Sequence, residues 1–163
     1  MNPCSPTIRF EVGPYWLQLP AHAEIAANVV KPPSPARQAA WTDWIISFDR
    51  FQFFIHLDSR LRLSDLKRLF DRTMKSDVRV SCIGVNGVPG VTHGGYGPPR
   101  TWIDWWFKKG DVMICLYLQS RKFAFAEPTP EEMAEHSAII HSIQYAPDMA
   151  DGARPLPQLS AST

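Results

Sequence analysis

The strongest pattern along the chain is a pair of alternating runs, residues 101–107 and 112–119, joined by Lys108-Lys109-Gly110-Asp111. In the first run Ile103, Trp105 and Phe107 share a face, opposite Trp102, Asp104 and Trp106. In the second, Val112, Ile114, Leu116 and Leu118 oppose Met113, Cys115 and Tyr117. A period of two is the signature of a strand, and a short turn between two such runs predicts a hairpin. Both faces are largely apolar, which suits a strand that is central and covered on both sides, or one that presents a face to a partner. Successive side chains point to opposite faces, so Trp105 and Trp106 cannot share an environment.

The same reading places strands at Thr7–Val12 and Tyr15–Leu19, with Gly13-Pro14 as the turn and Pro20 as the stop. Residues 20–40, rich in Ala and Pro, read as a surface loop with one helical turn near Ala21–Asn28. Trp41–Phe48 and Phe51–Asp58 alternate about Asp49-Arg50 and predict a second hairpin. Ser64 is placed to cap a helix running to about Met74, with Leu66, Leu69, Phe70 and Thr73 as its apolar stripe. Val78–Val85 reads as a strand ending at the Asn86-Gly87 turn, since both residues tolerate positive φ. The six glycines between 84 and 97, closed by Pro98-Pro99, read as a long flexible loop. Thr129-Pro130-Glu131-Glu132 is a capping box with proline at the first helical position. It opens a helix to about Ser142 whose buried stripe is Met133, His136, Ile140 and Ile143. Strands that pair locally, with helices arriving singly, predict an α+β fold: an antiparallel sheet with helices packed on it.

Composition narrows the class. One domain over 7–146, followed by a disordered Pro-, Ala- and Ser-rich tail over 147–163, suits 163 residues. Lys and Arg number 17 against 16 acidic residues, which lacks the basic excess of a nucleic-acid binder. No apolar run approaches the ~18 residues that span a bilayer, so no membrane insertion is expected. Met1–Val12 shows no basic segment followed by an apolar one, which makes the cytoplasm the default location. Cys4, Cys82 and Cys115 are too few for a disulfide framework and have no zinc-ligand spacing. Cys82 and Cys115 lie in apolar runs where buried thiols are common.

Candidate chemistry is sparse. The glycine-rich segment has neither Gly-x-x-x-x-Gly-Lys-Ser/Thr nor Gly-x-Gly-x-x-Gly, and no helix follows it, so it does not read as a phosphate cradle. His136 and His141 lie five apart and point to different sides of a helix. Glu131 and Glu132 complement the helix dipole at an N-terminus. No cofactor, metal or catalytic set is expected. The rival reading is a small enzyme or ligand-binding protein using His56, Asp58 and His93 in a pocket under the glycine-rich loop. The six tryptophans carry more information, because Trp and Tyr anchor interfaces. Tyr96, Arg100, Trp102, Asp104 and Trp106 are therefore the expected partner-binding residues.

The stretch VSCIGVNGVPGVTHGGYGPPRTWIDWWFKKGDVMICLYLQS, followed by a Pro-Thr-capped helix ending AIIHSIQY, resembles the PsbP-like, DcrB-like α/β/α sandwich. The shared order is a glycine-containing hairpin, an aromatic strand, the Gly110-Asp111 turn, the aliphatic strand Val112–Leu118, and a last helix closing on a strand at Ser142-Ile143. The opening IRFEVGPYWLQLP is similar to that fold's first hairpin. The resemblance implies a non-enzymatic accessory protein. Group members include bacterial chaperones for type VI secretion effectors, and small proteins of this kind also serve as immunity proteins. The expected partner is accordingly another protein, a toxin or a secreted effector, with a homodimer left open. The chain departs from the chaperones in its Pro-rich segment 20–40 and in its tryptophan content, and no catalytic residue carries over.

Overall fold

The computed structural model describes residues 7–30, 41–48, 50–73, 80–96, 102–121 and 127–147. The strands are β1 (Thr7–Val12), β2 (Tyr15–Pro20), β3 (Glu24–Val30), β4 (Trp41–Phe48), β5 (Phe51–Asp58), β6 (Ser81–Val85), β7 (Val88–Gly95), β8 (Trp102–Lys109), β9 (Val112–Ser120) and β10 (Gln144–Tyr145). Helix α1 (Leu63–Thr73) follows β5, and α2 (Pro130–His141) lies between β9 and β10. Seven strands form one antiparallel sheet in the order β3-β4-β5-β9-β8-β7-β6, and β1-β2-β10 form a small second sheet. The fold is α+β and dominated by antiparallel sheet. Among the described residues no helix is long and apolar enough to cross a membrane.

The β8–β9 hairpin sits at the centre, with β5 on one side and β7 on the other. Its two faces have the composition read from the alternation. Ile103, Trp105, Phe107, Ile114, Leu116 and Leu118 join Ile46, Phe48, Phe51, Phe53 and Ile55 in the main core. The small sheet and α2 close that side with Phe10, Val12, Tyr15, Leu17, Leu19, Ile139 and Ile140. This is the inner face. The outer face carries Trp102, Asp104, Trp106, Met113, Cys115 and Tyr117, and α1 lies against it with contacts to β7 and β8.

Specific polar contacts lock the layers. The buried Tyr15 hydroxyl donates to the Val112 carbonyl (2.6 Å) and accepts from the Lys109 N–H (2.9 Å), joining the small sheet to the β8–β9 turn. Thr129 and Glu132 form the full capping box, with side chain to backbone distances of 3.2 and 2.8 Å. Arg50, from the β4–β5 turn, holds the same Glu132 carboxylate through Nε (2.9 Å) and Nη2, and bonds the Glu127 carbonyl at 3.2 Å. At the other end of α2, Asn86 Nδ2 donates to the His141 and Ile143 carbonyls, each at 2.9 Å. Asn86 stands at φ 49° beside Gly87 at 73°, the left-handed turn that its dipeptide predicts.

Several expectations are corrected. The segment near Ala21–Asn28 is not helical: Glu24–Val30 is the edge strand β3, paired with β4 from Glu24↔Ser47 to Val30↔Trp41. An edge strand is paired on one side and needs little apolar alternation, and among its residues with described burial Ile25 packs on the core, which is why its pattern was silent. Within the glycine-rich segment, Val88–Gly95 is not a loop but strand β7. Its glycines permit close pairing with β8: a Cβ at Gly90 would stand 2.5 Å from Phe107 and 2.7 Å from the Trp106 carbonyl oxygen. Helix α1 begins at Leu63, with Arg62 accepting the first backbone bonds, so Ser64 lies inside the first turn and does not cap it. Met133 is exposed, and Ile139 takes its place in the α2 stripe. Cys82 is exposed on the edge strand β6, whereas Cys115 is buried. The last strand begins at Gln144, after Ser142 has capped the helix and Ile143 has entered the core. Cys4 and the tail over 148–163 lie outside the described residues.

Candidate binding face on the outer side of the central sheet

Strand register determines which outer-face side chains are neighbours. Asp104 on β8 lies opposite Tyr117 on β9 and His93 on β7, and Tyr117 lies opposite Phe54 on β5. One row across the sheet therefore reads Phe54, Tyr117, Asp104, His93. The rows on either side contain Trp102 with Gln119, and Trp106 with Cys115 and His56. Paired residues on a common face are close enough to interact. The Phe54 and Tyr117 rings lie 6.1 Å apart, and the Trp102 ring leans on His93 at 4.8 Å.

Helix α1 divides this face. Leu66 packs on Met113 and Cys115, with Leu63 and Trp106 against the same cluster. Lys108 Nζ donates to the Leu61 carbonyl at 2.7 Å, which fastens the entry to α1 onto β8. Trp106 therefore meets helical cover, while Trp102, Tyr117 and Phe54 stay half-buried farther along the strands.

The electrostatics centre on Asp104. Burial pushes its carboxyl up to about 7. His93 Nδ1 lies 3.8 Å from Asp104 Oδ2, beyond hydrogen-bond reach. Burial also lowers the His93 pKa, which disfavours the imidazolium that an ion pair needs. Thr92 Oγ1 bonds the Asp104 backbone carbonyl (3.0 Å), not its carboxylate. The Cys115 thiol is pushed up to about 12, by burial first and then by the negative charges of Asp58 and Asp104. It is a protonated core thiol, not a nucleophile.

The expected partner-binding residues divide three ways. Trp102, Asp104 and Trp106 stand together on the outer face. Tyr96 does not join them: its hydroxyl reaches His136 Nδ1 (3.0 Å) on the inner side of the sheet, although 39% of the residue is exposed. Arg100 lies outside the described residues. The rival set is not assembled. Asp58 Oδ1 accepts the Arg60 and Leu61 N–H groups in a local turn, at 2.7 and 3.3 Å. His56 and His93 are three strands apart in sheet order, about 14 Å at ordinary strand spacing. Among the described residues no three His, Cys, Asp or Glu side chains could hold a metal ion.

Two features escaped the sequence reading. The His93–Asp104 pairing depended on recognising β7, and the alternation of Val91 and His93 after the Asn-Gly turn was the available signal. His136 is 1% exposed and surrounded by Phe48, Phe51 and Phe53, with ring centroids at 5.6, 4.6 and 6.1 Å. Its place on the helix stripe was legible, but its aromatic surroundings were not. Comparison of the chain with protein-family models, with curated proteins and with solved structures finds no match.

Proposed function

We propose that this protein is a non-enzymatic accessory protein that binds another protein through the outer face of its central sheet. The observation that carries the reading is the half-buried row of Phe54, Tyr117 and Asp104, with Trp102 beside it, on strands paired on both sides. Aromatic side chains on a preformed surface give large contact area at little conformational cost, which is how interface anchors work. Helix α2 on one side of the sheet and α1 on the other support the PsbP-like, DcrB-like resemblance and, with it, an effector chaperone or an immunity protein of a bacterial secretion system. The partner would be a toxin or a secreted effector.

The test is titration calorimetry of the purified chain against the product encoded beside its own gene. Binding is expected, with at least a tenfold loss in the double variant Phe54→Ala/Tyr117→Ala. Absence of binding, or binding indifferent to both substitutions, removes the reading.

A further inference from the structure

We infer that the outer-face site around Asp104 receives a protruding arginine from the protein partner. This deepens the binding-face reading and rests on it. The Asp104 side chain is only 21% exposed, and the histidine beside it, His93, stands 3.8 Å from the carboxylate, beyond hydrogen-bond reach. A carboxylate held partly out of water without donors or a counter-charge is costly, and a cation brought to it recovers that loss. Three polar neighbours among the described residues make other contacts or stand off. Lys108 is spent on the Leu61 carbonyl, Thr92 on a backbone oxygen, and His93 stands too far for a hydrogen bond.

The surroundings specify which cation. Trp102 borders Asp104 on the same face of β8, on the side away from the α1-covered Trp106, and Tyr117 stands opposite it. Aromatic faces attract cations through the ring quadrupole. A guanidinium is planar, weakly hydrated and able to stack while its N–H fork meets a carboxylate, so arginine uses both halves of this site better than lysine does. The same carboxylate would repel a phosphate, so a nucleic acid is a poor occupant even with aromatic surfaces on offer.

The experiment is NMR on the full chain with labelled tryptophan indoles, titrated with capped Ala-Ala-Arg-Ala-Ala, with Ala-Ala-Gln-Ala-Ala, and with N-acetyl-arginine amide. Saturable shifts of the Trp102 indole are expected with the arginine peptide. Binding should weaken by about tenfold or more with the glutamine peptide, and likewise in Asp104→Asn, which removes one charge-assisted pair at nearly constant shape. No shift at millimolar arginine peptide, or equal shifts in Asp104→Asn, overturns the inference. Equal affinity for the single amino-acid amide would make this a small-molecule site and also overturn it. Calorimetry with the neighbouring gene product separates the two claims. If Asp104→Asn binds unchanged while Phe54→Ala/Tyr117→Ala weakens, the arginine fails and the binding face stands. If neither variant matters, the face itself fails.

Discussion

His136 is the residue whose surroundings make the sharpest claim about solution behaviour. Its ring packs against three phenylalanines, Nδ1 meets the Tyr96 hydroxyl, and Nε2 has no hydrogen-bond partner among the described residues. Burial lowers its pKa from 6.5 to about 4, opposed only in part by Glu132 one turn away, which Arg50 already neutralises. The unfolded chain therefore takes up a proton near pH 6.5 that the folded chain refuses until about 4. The contribution of His136 to stability is full above the higher value, falls as the pH drops through that window, and levels off below it, a change of up to about 3 kcal/mol. Asp104, held up at about 7, contributes a slope of opposite sign over much of the same window, so the measurement that isolates the histidine is the difference in denaturant midpoint between the natural chain and His136→Phe from pH 7 to 4. The natural chain should lose stability relative to His136→Phe as the pH falls through that window; a difference that does not change with pH would refute the claim, and the contributions of Asp104 and of Glu132, whose carboxyl Arg50 holds below its ordinary value, cancel in the comparison. Gly90 makes a second residue-scale claim. Gly90→Val would drive its side chain into Phe107 and a backbone carbonyl, and should cost about 1–3 kcal/mol in urea unfolding.

At the scale of elements, α2 is held at both ends by groups from other parts of the chain. Thr129→Ala breaks one half of the capping box and should lower stability by about 1 kcal/mol, read as a shift in Tm. Asn86 does two jobs, adopting the left-handed turn and donating to two carbonyls beyond the last turn of α2. Asn86→Gly keeps the backbone freedom and loses only the donors, whereas Asn86→Ala loses both. The alanine variant should therefore be the less stable of the two in chemical denaturation; equal stability would mean that the turn conformation contributes nothing. The capping box was visible in four consecutive residues because it is local chemistry. The Arg50 and Asn86 contacts were not, since they join positions 82 and 55 or 57 residues apart.

At the scale of the molecule, the question is whether the two sheets behave as one body. Tyr15 bridges them through a hydroxyl that donates to one backbone group and accepts from another. Tyr15→Phe leaves the Val112 carbonyl and the Lys109 N–H without that partner and should cost about 1–3 kcal/mol. Core residues from both sheets and α2 form one cluster. Tryptophan fluorescence and far-UV circular dichroism should therefore report a single coincident transition. A separate early loss of fluorescence, from Trp16 on β2, would show the small sheet detaching by itself.

Features that need only neighbours along the chain were legible in the residues alone. Alternation placed the β1–β2, β4–β5 and β8–β9 hairpins and the opposed faces of Trp105 and Trp106. The capping box started α2, and Asn86-Gly87 made a turn. Tertiary structure alone decided what lies opposite each face. Pairing with β4 made an edge strand of the alanine-rich β3, and pairing with β8 made a strand of the glycine-rich β7. The same pairing put His93 beside Asp104 and left the outer aromatic row beyond α1 half-buried. Periodicity records the environment a strand is built for. Which strand or helix supplies that environment depends on contacts between distant residues, and no local pattern encodes those.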